Sequence, residues 1–197
     1  MHQTGRSILI AVRLMIVFIV VLGIAYPLLI TGIGQAFFHS KANGSLLQDR
    51  NGQTVGSALL GQSFSDAQGN PLPQYFQPRP SAVNYDGSDS GGSNQGPENP
   101  ALIADITQRK AQIAAFNGVP ESEVPPDAVT ASGSGLDPDI SPAYAAIQVN
   151  RVAKARGLSV DQVQALVAKY TTGPDLGFIG ESRVNVVQLN LALDELR

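Results

Sequence analysis

The stretch from Leu14 to Ile33 carries no charged side chain, and it lies inside the longer apolar run "ILIAVRLMIVFIVVLGIAYPLLITGI" at residues 8–33. Twenty residues at about 1.5 Å rise each make a helix about 30 Å long, the hydrocarbon thickness of a bilayer. A helix apolar on every face has no solvated side to present in a water-soluble fold. The run therefore predicts a transmembrane helix. The rival is a cleaved signal peptide, with an apolar core of about 7–15 residues ending in small side chains. Here the core is longer, and bulky Phe37 and Phe38 stand where small groups are needed. An uncleaved anchor is expected. Arg6 and Arg13 precede it and favour a cytoplasmic start, while Lys41 and Arg50 on the far side oppose that bias. Gly23 and Pro27 predict a bent helix, because the backbone groups they free need partners in lipid.

The apolar excess of the chain, 43% hydrophobic residues against 15% charged, is concentrated in this run. Removing Arg6 and Arg13 from the thirteen basic residues leaves eleven against sixteen acidic ones in residues 34–197. An acidic domain of that kind is a poor partner for nucleic acid. There is no cysteine, so neither a disulfide framework nor thiolate chemistry is available.

Residues 45–64 read as a hairpin turning at Asn51-Gly52. Residues 66–98 are rich in Gly, Pro, Ser, Asn and Asp, the composition of a linker. Tyr75, Phe76, Val83 and Tyr85 are interleaved, however, and Pro78 and Pro80 stiffen the chain; an ordered loop over the core is expected. Asn99 and Pro100 start a helix with Leu102, Ile103, Ile106, Ile113 and Phe116 on one face, ended by Gly118. Ser141-Pro142 starts a second, bearing Ala145, Ala146, Val149, Val152 and Ala153 and stopped by Gly157. Ser159 with Gln162 forms a capping box ahead of Val163, Leu166, Val167 and Tyr170. Asn185 with Gln188 caps a last helix carrying Val186, Leu189, Leu193 and Leu196. The predicted class is α+β: a single amino-terminal transmembrane helix, then one helix-rich domain with a small sheet or hairpin and long ordered loops. The expected division is residues 1–7 cytoplasmic, 8–33 the anchor and 34–197 the extracytoplasmic domain.

Several chemistries are excluded. The only histidines are His2 and His39, at the two ends of the span, so a Ser-His-Asp triad has no base in the domain and a histidine or cysteine zinc site has no ligands. No serine fits the S-x-x-K pattern of a serine–lysine nucleophile. The stretch "DGSDSGGSNQGPE" resembles a calcium loop through Asp86, Ser88 and Ser90, but the position for the bidentate Glu is Pro97. A P-loop needs Gly-Lys-Ser/Thr, and no lysine lies between Lys41 and Lys110. Asp137 and Asp139 form a pair of carboxylates, better read as a turn before the Ser141 helix than as an acid–base couple. The "SGGSNQ" stretch at 90–95 is either an anion cradle or a tight bend. The segment containing Ser132 and Ser134 poses the same choice. Arg79, Arg151 and Arg183 are candidates to lock these loops by bidentate pairing with Asp86, Asp137 or Asp194.

Three stretches, "PRPSAVNYDGSDSGGSNQGPENP", "VPPDAVTASGSGLDPDISPAYAAIQVNRVAKARG" and "GESRVNVVQLNLALD", together with the single span, resemble the C subunits of the Kdp-type potassium-transporting P-type ATPase. The resemblance runs in order over almost the whole chain. Two positions depart from the pattern: Asp139 stands where a His often follows Asp-Pro, and Ser182 where a Pro often sits. The resemblance implies a non-catalytic accessory subunit of an ATP-driven, high-affinity potassium importer in the bacterial inner membrane. Its implied partners are the potassium-translocating and ATP-hydrolysing subunits and the lipid bilayer. Its implied role is to stabilise assembly and to raise the ATP affinity of the hydrolysing subunit, a catalytic chaperone. No tightly bound cofactor is implied; ATP enters through that partner. By the same resemblance Ser90, Gly91, Gly92, Ser93, Asn94 and Gln95 are similar to the signature loop of ABC transporters and are the implied nucleotide contacts. An extracytoplasmic loop cannot reach cytoplasmic ATP: either the orientation is reversed, or any effect on ATP passes through the membrane subunits; the second is favoured, and a lid or docking surface is the expected role. The alternatives are an anchored envelope binding protein and an anchored hydrolase, both unrelated to ion transport.

Overall fold

The computed structural model describes residues 2–196; Met1 and Arg197, the outer ends of the first and last expected segments, lie outside them. The chain divides into two compact units, Met1–Ser45 and Leu46–Arg197.

The first unit is one long apolar helix and a short turn of helix after it. Helix α1 (His2–Phe18) runs into a π-helical stretch, Ile19–Ala25, and then into α2 (Tyr26–Phe37). From Thr4 to Phe37 it is long and apolar enough to cross a membrane. Pro27 explains the π-helical stretch. Its nitrogen has no hydrogen to donate, and in a regular α-helix its ring presses on the carbonyl four residues back. Widening the preceding turn relieves that contact: the Tyr26 N–H bonds to the Val21 carbonyl, five residues back, and the helix continues without a break. A four-residue helix, α3 (His39–Ala42), comes after it.

The second unit opens with the hairpin β1 (Leu46–Gln48) and β2 (Thr54–Ser57), antiparallel and irregular after Leu47, with Gly52 at φ +76 in its turn. The long loop comes next, then α4 (Pro100–Asn117), a 3-10 turn at Glu121–Glu123 and α5 (Pro126–Val129). Strand β3 (Asp139–Ile140), α6 (Pro142–Arg156), α7 (Val160–Lys169), β4 (Thr171–Thr172), β5 (Arg183–Asn185) and α8 (Val186–Asp194) complete the domain. The last three strands form an antiparallel sheet in the order β3-β5-β4.

Four helices start where a side chain can accept from an orphan backbone N–H. Asn99 accepts from Ala101, Ser141 from Tyr144 and Asn185 from Gln188, while Ser159 and Gln162 form the reciprocal box. Gly118 and Gly157 end α4 and α6 in the left-handed conformation. The core is built around α6 and α8: Ala145, Val149, Val152 and Ala153 pack with Val186, Leu189 and Leu193, joined by Val163 of α7 and Ala114 of α4. Ile103 and Ala146, expected on buried faces, are exposed, because the apolar stripe of each helix is narrower than the run of apolar letters, and Leu196, expected on the last helix, is exposed because α8 ends before it at Asp194.

The long loop is ordered and takes part in the core. Phe76 is fully buried in it. Its backbone is matched by side-chain amides: Asn190 accepts from Phe76 N (2.9 Å) and donates to Phe76 O (2.9 Å). Gln148 does the same for Gln77, at 2.7 and 3.1 Å. A loop buried this deeply needs its peptide groups satisfied, and two buried amides on α6 and α8 replace the missing strand.

Candidate functional site

Two loop assemblies hold most of the side chains singled out in the sequence. In the first, residues 81–92 are stitched to residues 132–136. Gly91 N donates to the Ser134 carbonyl (2.9 Å), and the Ser90 hydroxyl donates to the same oxygen (3.2 Å). Ser132, itself buried, donates its N–H to Pro80 O (3.3 Å), and the Ser134 hydroxyl accepts from Leu136 N (3.1 Å). The Ser81 hydroxyl donates to Gly135 O (2.7 Å) and accepts from the amides of Val83 and Tyr85. Close approach of the two backbones requires glycine: a Cβ on Gly92 lies 3.1 Å from Gly133 O. Gly135 has φ +69, and a Cβ there meets Val83 Cγ2 at 2.6 Å and Gly91 O at 2.8 Å.

The rest of the "SGGSNQ" stretch turns outward. Ser93 and Asn94 are exposed, Gln95 is half-buried, and Asn94 takes φ +52. Asp86 accepts from the Ser88 hydroxyl and amide, which closes its own turn and lowers its pKa; no arginine pairs with it among the described residues.

The arginines do lock loops, mostly with partners different from those expected. Arg79 pairs with Asp137 as expected, but through one contact, Nη1 to Oδ2 at 3.0 Å, and not bidentately; its carbonyl accepts from the half-buried Tyr85 phenol, whose pKa burial pushes up. Arg183 meets Asp139, at 3.4 Å, and not Asp86, Asp137 or Asp194. Arg151 pairs with no carboxylate among the described residues. Its guanidinium donates to Asn117 Oδ1 (2.9 Å), Pro73 O (2.6 Å), Tyr75 O (2.9 Å) and Gln148 Oε1 (2.7 Å), and it lies over the Phe116 ring. Burial lowers its pKa to about 10, so it stays charged at neutral pH. Asp194 is taken by Arg156, which the sequence did not single out: Nη2 reaches Asp194 at 2.9 Å and Nε reaches Gln74 O at 2.6 Å. The Tyr75 hydroxyl donates to the other oxygen of Asp194 (3.1 Å), and its ring lies under the Arg156 guanidinium. The second assembly is therefore the 73–77 strap, held by Arg151, Arg156, Gln148 and Asn190.

Beside these loops lies a cleft of about 590 Å³ edged by Arg79, Asp127, Asp137, Asp139, Glu181 and Arg183. Its carboxylates are mostly committed within the fold. Asp127 accepts from the Ser141 amide (2.7 Å) and hydroxyl (2.9 Å), which fixes the start of α6. Asp137 takes Arg79 and the Asp139 amide. Burial, reinforced by the neighbouring charge of Asp137, raises the pKa of Asp139, and Arg183 works against that shift. Among the described residues no group of three or more His, Cys, Asp and Glu side chains is placed to hold a metal ion.

The arrangement is one of fastening, and comparison with known proteins gives it a context. The family model for the c chain of the K+-transporting ATPase, KdpC, matches residues 8–195. The chain belongs to the KdpC family. A Paraburkholderia xenovorans protein named potassium-transporting ATPase KdpC subunit is 51% identical over 192 residues, covering 94% of this chain and 96% of its own length. Proteins of the same name from Mycobacterium bovis and Gemmatimonas aurantiaca are 48% and 54% identical, over 97% and 88% of this chain and 99% and 85% of their own lengths. The KdpC match takes in most of the apolar helix, both loop assemblies and the cleft. The two departures noted in the sequence, Asp139 and Ser182, line that one cleft.

Proposed function

We propose that this chain is the non-catalytic accessory subunit of an ATP-driven, high-affinity potassium import complex. Its relatives are named as subunits of a potassium-transporting ATPase. The observation that carries a positional role is the use of charge: Arg79, Arg151, Arg156 and Arg183 all fasten the chain's own loops and helices. Groups so engaged hold a shape and do not turn over a substrate. The apolar helix anchors the subunit in the bilayer beside the potassium-translocating and ATP-hydrolysing subunits. The residues before it lie in the cytoplasm, as Arg6 and Arg13 favour, and the folded domain lies outside. The Ser90–Gln95 loop is then a docking edge, and any effect on ATP affinity passes through the membrane subunits.

Removing residues 1–33 tests the reading. The expected product is a folded, released domain that no longer co-purifies with the pump's membrane subunits. Retention in the complex contradicts the anchor's role, and hydrolytic turnover by the released domain returns the hydrolase alternative.

A further inference from the structure

The connection between β4 and β5 has a feature that folding does not account for. At its tip Leu176 is 83% exposed and Phe178 77% exposed, with Ile179 half-exposed beside them. Single apolar side chains on a surface are ordinary, but three within four residues on one projecting turn are not. The turn is firmly made. Asp175 and Ile179 exchange both backbone hydrogen bonds at 2.9 Å, and Gly177 N donates to Pro174 O at 3.1 Å. Leu176 takes φ +53, a left-handed conformation that is unfavourable for a branched residue and that serves to project the tip. A defined backbone therefore holds two large apolar groups in water.

We infer that Leu176 and Phe178 insert into an apolar pocket, rimmed by Lys or Arg, on a membrane subunit of the pump; this rests on the reading of the chain as a pump subunit. Charge chooses this occupant over two others. Loops that enter a bilayer surface carry Lys or Arg, which anionic headgroups attract. Here Asp175 and Glu181 bracket the tip, no basic residue lies from Thr171 to Ser182, and the next one, Arg183, is paired with Asp139. The adjoining cleft adds Asp127, Asp137 and Asp139 against Arg79 and Arg183. An anionic membrane is repelled by such an edge, and in a two-fold contact of two tips the same acidic groups meet one another. A partner pocket with a basic rim complements both the apolar tip and its acidic border. An aromatic anchor seated in such a pocket is the usual centre of binding energy.

The test uses the full chain co-expressed with the pump subunits. A benzophenone amino acid at position 178 is expected to crosslink to one membrane subunit, at a mapped peptide with Lys or Arg beside an apolar pocket. The double variant Leu176→Ser with Phe178→Ser is expected to leave the complex at least about tenfold faster than wild type, with an unchanged circular dichroism spectrum and unfolding midpoint. Crosslinks to lipid alone or to a second copy overturn the inference, as does a double variant retained like wild type. In that last case wild type still co-purifies, so the tip assignment fails alone. Failure of wild type to co-purify overturns the parent reading and this one together.

Discussion

Replacing Arg151 with Met lowers the stability of the folded domain by about 3 kcal/mol, because four acceptors lose one shared donor group. The guanidinium joins α4, α6 and the 73–77 strap through Asn117, Gln148, Pro73 and Tyr75. Met fills much of the same space and removes the charge, so cavity formation is a small part of the effect. Gln148 keeps the Gln77 amide as a donor, whereas Asn117 Oδ1, Pro73 O and Tyr75 O each lose the guanidinium, at about 1 kcal/mol apiece. Arg151→Lys keeps the charge but offers a compact ammonium where a planar fork reaches several directions, and about half of the loss is expected to persist. Urea unfolding of the detergent-solubilised chain, followed by circular dichroism, measures both. A Lys variant as stable as wild type contradicts the assignment of the strap to this side chain.

The second large effect is at Gly135. Ala there must take φ +69 and place its methyl 2.6 Å from Val83 Cγ2 and 2.8 Å from Gly91 O. The second contact is with backbone, which cannot swing aside as a side chain can. The two layers must therefore separate or the conformation must change, at about 2–4 kcal/mol. Gly118 is the control: its φ is nearly the same, +68, but open space surrounds its missing Cβ. Gly118→Ala is expected to lose only about 1 kcal/mol, from the left-handed backbone. Protease sensitivity within residues 81–97 is expected to rise in the Gly135 variant and not in the Gly118 variant. Equal losses at the two sites contradict the account of the stitched loops.

The helices were legible because their signals are local. Asn99, Ser141, Ser159 and Asn185 each lie within three residues of the amide they cap, and Gly118 and Gly157 end helices by their own backbone freedom. The hairpin at Asn51-Gly52 was legible for the same reason. Strands β3 and β4 have two residues each, too short for any alternation of side chains to be read. The locks were half legible. Arginine as a loop fastener came from chemistry, and the Arg79–Asp137 pair was among those expected. Two of the partners of Arg151 are backbone carbonyls, and a carbonyl has no letter in the sequence. Asn190 and Gln148 carry no inward signal in the sequence, because polar letters in an amphipathic helix read as its solvated face, whereas these two point inward to the backbone of Phe76 and Gln77. The exposed tip at Leu176 and Phe178 has no signal of its own in the sequence, because two apolar letters in a short loop do not show which way the turn projects them.

The absence of cysteine makes one measurement of the central claim clean. Ser93 is exposed on the Gly-Ser loop, so Ser93→Cys creates a single reactive thiol on the surface assigned to the outside. Treated with a membrane-impermeant maleimide, intact spheroplasts carrying this variant in the assembled complex are expected to be labelled as fully as permeabilised ones. Labelling that appears only after permeabilisation places the domain in the cytoplasm and contradicts the account of an anchored subunit docking outside the cell.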